Sequence, residues 1–264
     1  MRLIVPLVAI VSYALTILAL VIWPPMVALT LLVTFPFDRN RKVAGRLLRL
    51  CGAFVSRSFP FWRIRIEGRW PEGKQAYVVV ANHQSFVDIF LLSNLPQEMK
   101  WVAKKSLFNI PWIGWAFSMV GDIAIERGDA ASAAGVMAKA NDYLTHGMHV
   151  MLFPEGTRSR DGKLLPFKAG AFKLAVDAGV PILPIAVSGS AQGMPKGSPW
   201  VRPAKLVVRI LEPVSTAGVA SAQGREQVRR LAELRDEVRA RIERALEGSA
   251  ATPARTPAQA NPSA

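Results

Sequence analysis

The first stretch of this chain limits its folding options more than any other. Leu3 to Phe35 is almost entirely apolar, punctuated by Trp23-Pro24-Pro25. As a helix, Leu3–Trp23 alone would reach about 30 Å, the hydrocarbon thickness of a bilayer. Neither proline can donate a helical hydrogen bond, so the pair is expected to interrupt the helix. Met26–Phe35 resumes the apolar run but is too short to cross again as a straight helix. Basic residues follow at once, at Arg39, Arg41, Lys42, Arg46 and Arg49. The positive-inside rule puts such a flank in the cytoplasm. The run is too long for a cleaved signal peptide, and no convincing small-x-small site follows it. A single spanning helix and a proline-broken pair seated in one leaflet both fit the pattern. Either puts the protein at a membrane.

Charge points the same way. The formal net charge of +14 calls for an anionic partner. Beside an apolar anchor, membrane lipid headgroups answer that need better than nucleic acid, for which no basic-aromatic motif is present. At 264 residues, 51% of them hydrophobic, the chain fits one α/β domain with additions. The expected organisation is a membrane anchor and basic interfacial helix over 1–58, an α/β domain over 59–248, and a disordered Ala/Pro/Ser/Thr-rich tail over 249–264. The one cysteine, Cys51, excludes an intramolecular disulfide. The three histidines, His83, His146 and His149, leave little room for a metal site, so neither metal nor cofactor is expected.

Periodicity predicts the elements. Arg41–Ser58 reads as a basic amphipathic helix lying at the membrane surface. Phe61–Glu67 alternates like a half-buried strand, and Ala76–Ala81 is a continuous run like a fully buried one. Strands are also expected at Met99–Ala103, Gly121–Glu126, His149–Phe153, Ile182–Ser188 and Leu206–Leu211. Helices are expected at Ser85–Leu92, Ala130–Thr145, Phe167–Ala178 and Gly224–Glu247. This alternation predicts an α/β fold with a mixed, largely parallel sheet flanked by helices. In such sheets ligands sit beyond the carboxyl ends of the strands.

Two segments at those ends carry chemistry. Asn82-His83-Gln84-Ser85-Phe86-Val87-Asp88 places a histidine and a carboxylate five positions apart, just after the buried run. An imidazole that titrates near neutrality suits a general base, and Asp88 can fix its tautomer. Ser85 to Asp88 equally fits a capping box, with His83 an ordinary loop residue. Phe153-Pro154-Glu155-Gly156-Thr157-Arg158 places an acid, a glycine, a hydroxyl and a guanidinium in one turn. Arg158 can make bidentate contacts to phosphate. A plain Pro-Gly turn with solvated charges is the alternative.

Taken together, the segments resemble the glycerolipid acyltransferase superfamily, and within it the bacterial 1-acylglycerol-3-phosphate acyltransferases. The N-H-x-x-x-x-D block stands at Asn82-His83 to Asp88, and F-P-E-G-T-R-S at Phe153 to Ser159. A Gly-led strand ending in arginine stands at Gly121–Arg127, with Glu126 where the family often has Asp or Asn. V-P-I-x-P stands at Val180–Pro184, and Ala103-Lys104-Lys105 precedes Pro111. The resemblance implies that His83 deprotonates a lysophospholipid hydroxyl while Asp88 orients and stabilises the imidazolium. It implies that Arg127, Glu155, Gly156, Thr157 and Arg158 hold the glycerol-phosphate part, with Lys105 a further phosphate ligand. The implied donor is acyl-CoA or acyl-carrier protein, and the implied acceptor is lysophosphatidate at the cytoplasmic face of the inner membrane. Another lysolipid, such as a lyso-aminolipid, is the alternative acceptor. A lipid or thioester hydrolase fits less well. Gly189-Ser190-Ala191-Gln192-Gly193 sets its serine one position early for a nucleophile elbow, and Cys51 lies far from the motifs.

Overall fold

The computed structural model describes residues 4–159, 162–198 and 200–250. In chain order the elements are α1 (Ile4–Thr34), α2 (Lys42–Arg57), β1 (Trp62–Glu67), β2 (Val78–Ala81), α3 (Val87–Leu92), β3 (Met99–Lys104), α4 (Lys105–Phe108), α5 (Ile113–Met119), β4 (Ile123–Ile125), α6 (Ala130–Thr145), β5 (His149–Leu152), α7 (Gly170–Asp177), β6 (Ile182–Ser188), α8 (Ser190–Gly193), β7 (Ala204–Ile210), α9 (Ala217–Ala220) and α10 (Gly224–Ala250). The short α4, α5, α8 and α9 have no counterpart in the hydropathy pattern. Beyond residue 250, the tail expected to be disordered lies outside the described residues.

Seven strands form one sheet in the order β1-β7-β6-β2-β5-β3-β4. β6, β2, β5, β3 and β4 run parallel, while β7 pairs antiparallel with β6 and carries β1 parallel to itself. The sheet is therefore mixed and largely parallel, as expected. Its centre is β2, buried along its whole length. Successive side chains of a strand point to opposite faces. Val78 and Val80 accordingly join Val150 and Ile182 in a core capped by α6, α7 and α10. Val79 and Ala81 join Met151 and Leu183 in a second core beneath α2 and α3. The topology brings the carboxyl ends of β2, β3, β4, β5 and β6 to one rim. Both motif segments start there.

Two expectations about the N-terminal region need correction. First, Pro24 and Pro25 do not interrupt the helix; α1 runs through both. Pro24 frees the carbonyl of Leu20, and the indole N–H of Trp112 donates to that oxygen at 2.9 Å. Trp112 adopts φ 73°, ψ −61° in a γ-turn closed by Ile113 N–H to the Pro111 carbonyl at 2.9 Å, a rare and strained geometry. Trp23 adds a second tie, donating to the Leu47 carbonyl at 2.9 Å and stacking on Phe54. One face of α1 packs inward, with Ala19 and Val27 buried, but its outer face is bare: Ile10 is 65% exposed and Leu32 76%, where a core helix would be covered. Pro6–Thr34 is long and apolar enough to cross a membrane, and its open apolar face suits association with one.

Second, α2 is not simply a basic surface helix. Ala44, Cys51 and Val55 pack inward, and Arg49 does too, at 5% exposure. Its guanidinium lies 2.5 Å from Asp122 Oδ1, 3.7 Å from Glu98 Oε1, and over the Trp101 ring. Buried Lys100 completes the cluster, donating to the Val120 carbonyl at 2.8 Å. Burial pushes the Glu98 carboxyl up to about 7, against the pull of Arg49 and Lys100. Arg49 therefore leaves the basic flank and joins the core, because Asp122 compensates its charge there.

Breaking this cluster should loosen α2 from the sheet. Asp122→Ala strands Arg49 and removes an acceptor from Trp101 N–H, so a loss of about 3–5 kcal/mol is expected. Denaturant unfolding of the full chain in detergent checks it. Arg49→Met, which removes the charge as well, should be better tolerated as a companion to the Asp122 variant.

Candidate active site

The Asn82–Asp88 turn leaves β2 at the middle of the rim. Asn82 is locked to the neighbouring strand by two bonds: its Nδ2 donates to the Val187 carbonyl at 2.8 Å, and Val187 N–H donates to its Oδ1 at 2.7 Å. His83 follows. Its Nδ1 lies 2.9 Å from Asp88 Oδ2, and that same oxygen accepts the N–H groups of Gln84 at 2.7 Å and Ser85 at 2.8 Å. The capping reading and the base-orienting reading are thus both realised, by one carboxylate. Asp88 is fully buried, whereas His83 keeps a sliver of exposure. With Nδ1 facing a carboxylate, Nε2 is the nitrogen free to accept a proton. The imidazole lies flat on Phe153, at 4.0 Å between ring centroids and 16° between planes, which sets its orientation.

The second segment leaves β5, the next strand over. Gly156 turns the chain at φ +68°, and a Cβ there would meet the Lys168 side chain at 3.0 Å, so the turn requires glycine. Glu155 faces inward. Its Oε1 accepts His83 N–H at 2.6 Å and its Oε2 accepts Leu165 N–H at 3.0 Å. Ser159 N–H donates to the His83 carbonyl at 2.9 Å, so this loop holds both ends of the His83 backbone. Burial pushes the Glu155 carboxyl up to about 7, against those two amide donors and with the Asp88 charge adding to the rise. The resemblance implied that Glu155 touches a ligand; here both its oxygens are turned to the protein backbone.

The remaining residues spread along the same rim. Thr157 is exposed and Arg158 half-buried, and the Arg158 guanidinium has no side-chain bond among the described residues. Lys105 begins α4 at the end of β3 and pairs with Glu126 at 2.8 Å. Both partners are more than half exposed, so solvent screens the pair and a stronger anion can displace it. Arg127, just past β4, is exposed. Three cations thus follow the strands on the β5–β3–β4 side of His83. Of the other histidines, His146 caps α6, and His149 accepts Tyr77 N–H at 3.1 Å while burial pushes its imidazole down to about 4. Motif reading missed Asn82 and Phe153 as positioning groups. Asn82 had a signal, being an amide directly after a buried strand.

With this geometry in view, the likeness to known proteins is direct. The Acyltransferase family profile matches residues 63–188, from β1 through β6 and across every motif. The 1-acyl-sn-glycerol-3-phosphate acyltransferase of Escherichia coli is 35% identical over 69% of this chain and 74% of its own length. The chain belongs to this acyltransferase family. A chloroplastic 1-acyl-sn-glycerol-3-phosphate acyltransferase of Brassica napus is 41% identical over 61% of this chain, and the match spans about half of that relative, 47%. Among solved structures, the 1-acyl-sn-glycerophosphate (LPA) acyltransferase PlsC of Thermotoga maritima superposes with a TM-score of 0.73 at 27% identity. That match covers 96% of this chain and 100% of the other, so the likeness extends into the N-terminal helices.

Glu155 makes a pH-dependent contribution in this family member. Its folded-state value lies above the ordinary carboxylate range, so the folded chain keeps a proton that the unfolded chain has already released. The contribution favours the fold below that range and is lost as pH rises to about 7. Glu155→Gln should flatten the fall in melting temperature across this window. It should also cost about 1–3 kcal/mol, because its NH₂ faces an amide donor. Thermal melts across the window read both effects.

Proposed function

We propose that this chain transfers a fatty acyl group from an acyl thioester, acyl-CoA or acyl-carrier protein, to the sn-2 hydroxyl of lysophosphatidate, giving phosphatidate. The observation that carries this reading is the buried Asp88 carboxylate on His83 Nδ1 at 2.9 Å, at a rim bearing Lys105, Arg127 and Arg158. Asp88 holds the proton on Nδ1, so Nε2 accepts the proton of the lysolipid hydroxyl. The hydroxyl oxygen attacks the thioester carbonyl, forming the ester C–O bond. Collapse of the tetrahedral intermediate breaks the C–S bond, and the departing thiolate takes the proton from the imidazolium. The donor is already activated, so this scheme asks for no metal and no cofactor.

Lys105, Arg127 and Arg158 take the acceptor phosphate, with Thr157 toward the glycerol part. Gly156 shapes that loop, and Glu155 works from behind by bracing the His83 backbone. Lysophosphatidate and its product are amphiphiles whose tails favour the bilayer. The bare apolar face of α1 supports a role as the anchor, with Arg39 and Lys42 toward anionic headgroups and the rim on the cytoplasmic side of the inner membrane.

The deciding experiment supplies the purified full chain with a panel of lysolipids and both donor types, read by mass spectrometry. Transfer to lysophosphatidate is expected. Exclusive use of a lyso-aminolipid, or donor hydrolysis without transfer, would overturn the reading. His83→Ala should lower kcat by about 10² to 10⁴ with the melting temperature held. Arg127→Ala should raise the lysophosphatidate KM about tenfold, the loss of one charge-assisted bond, and leave the donor KM alone.

A further inference from the structure

A second feature of the rim lies on the opposite side of His83 from Lys105 and Arg127. It is a cleft of about 620 Å³ under the connection from β6 to β7, lined by Gln84, Ser159, Gln192, Lys196 and Arg202 among others. Gln84 is the residue after His83, and Ser159 holds the His83 carbonyl, so the cleft adjoins the proposed base directly. Its walls are built. Gln84 Nε2 donates to the Gly162 carbonyl at 2.9 Å, and Lys196 Nζ donates to the Arg158 carbonyl at 2.7 Å. Trp62 Nε1 donates to the Arg202 carbonyl at 3.0 Å, and Arg202 N–H donates to the Gly193 carbonyl at 2.8 Å. Gly189 starts this wall at φ +84°, where a Cβ would lie 1.9 Å from the Lys205 carbonyl oxygen. The backbone at Arg202 is therefore fixed while its guanidinium has no side-chain bond among the described residues. No acidic side chain is among the described lining residues.

The chemistry of this lining excludes some occupants. Alongside Ala191, Pro195 and Pro203, two side-chain amides, a hydroxyl and two cations give a mixed wall whose polar groups an acyl tail would leave unpaired. They suit a flexible chain of amides ending in a phosphate. A thioester donor carries that structure, since the acyl sulfur ends a pantetheine arm with two amide groups and a phosphate at its far end. The proposed reaction also needs hydroxyl and thioester to converge on His83 from different directions. Lys105 and Arg127 place the acceptor phosphate on the β3–β4 side, and the cleft, between the loop after β5 and the β6–β7 connection, opens the other approach.

We infer that this cleft seats the phosphopantetheine arm of the acyl donor, with Arg202 and Lys196 meeting its phosphate and Gln84 and Gln192 its amides. The inference rests on the acyltransferase reading above. The arm is common to acyl-CoA and acyl-carrier protein, so the shared chemistry is the phosphorylated arm.

The test uses the full chain in detergent with three donors of one acyl chain: acyl-CoA, acyl-carrier protein and acyl-pantetheine, which lacks the phosphate. Arg202 is exposed, so Arg202→Ala should keep the wild-type melting temperature. It is expected to raise KM for the phosphorylated donors about tenfold or more while leaving acyl-pantetheine and acceptor KM unchanged. Arg202→Lys should restore part of the loss. An effect on both phosphorylated donors assigns the arm phosphate that they share. An effect on acyl-CoA alone, which points to its nucleotide phosphates, or on acyl-carrier protein alone, which points to its carrier, would overturn the inference. Unchanged KM for both would overturn the inference. So would an equal rise for acyl-pantetheine, or a rise in acceptor KM instead. Binding of a non-transferable thioether analogue of acyl-CoA separates this from the parent reading. If wild type acylates no lysolipid, the parent reading fails. Analogue binding weakened in Arg202→Ala would still support the site, and absent or unaltered binding would overturn it.

Discussion

One oxygen atom organises the centre of this molecule. Asp88 Oδ2 gathers the His83 imidazole and the amides of Gln84 and Ser85, converting the exit from β2 into a rigid corner. Those three donors come from consecutive residues, so the carboxylate specifies backbone and side chain together. A histidine on an unbraced loop would lose rotamer freedom with each productive encounter. Here that ordering cost is met during folding.

The corner is in turn clamped from both neighbouring strands. Asn82 reads the backbone of β6 at Val187, and Glu155, after β5, reads the backbone of His83 itself. The parallel sheet makes this economical, because adjacent strands deliver their following loops to the same rim. Its central strands also separate two basic regions. Lys105 and Arg127 follow β3 and β4, while Lys196 and Arg202 lie between β6 and β7; Arg158, after β5, stands between the two, its carbonyl accepting from Lys196 Nζ at 2.7 Å.

Much of this was legible in the sequence for local reasons. Val78–Ala81 reads as a buried strand because four small or β-branched apolar residues leave no polar face. Ala130–Thr145 and Ile182–Ser188 match their expected bounds because glycines and prolines mark their ends. The two motif blocks stand out because each sets reactive groups directly after an apolar run. What was hidden depends on partners distant in sequence. Arg49 looks like one more cation on a basic helix until Asp122, 73 positions later, draws it inside. The inward turn of Glu155 is decided by the amides of His83 and Leu165, and no local pattern shows which way a carboxylate in a Pro-Glu-Gly turn will point. The proline pair reads as a helix breaker because the donor that meets the freed carbonyl lies 92 positions away.

That last bond ties the apolar helix to the rest of the protein in a particular way. A carbonyl released by proline inside a hydrocarbon-facing helix is a defect that costs several kcal/mol if left bare. The domain fills it with an indole held on a strained turn, so the defect becomes a socket and Trp112 its plug. Helix and domain are then joined as one body, and the position of the rim relative to the apolar helix is a property of the fold rather than of a leash. An apolar helix of equal length and hydropathy but without this socket and the Trp23 tie to α2 would carry the domain at no fixed angle.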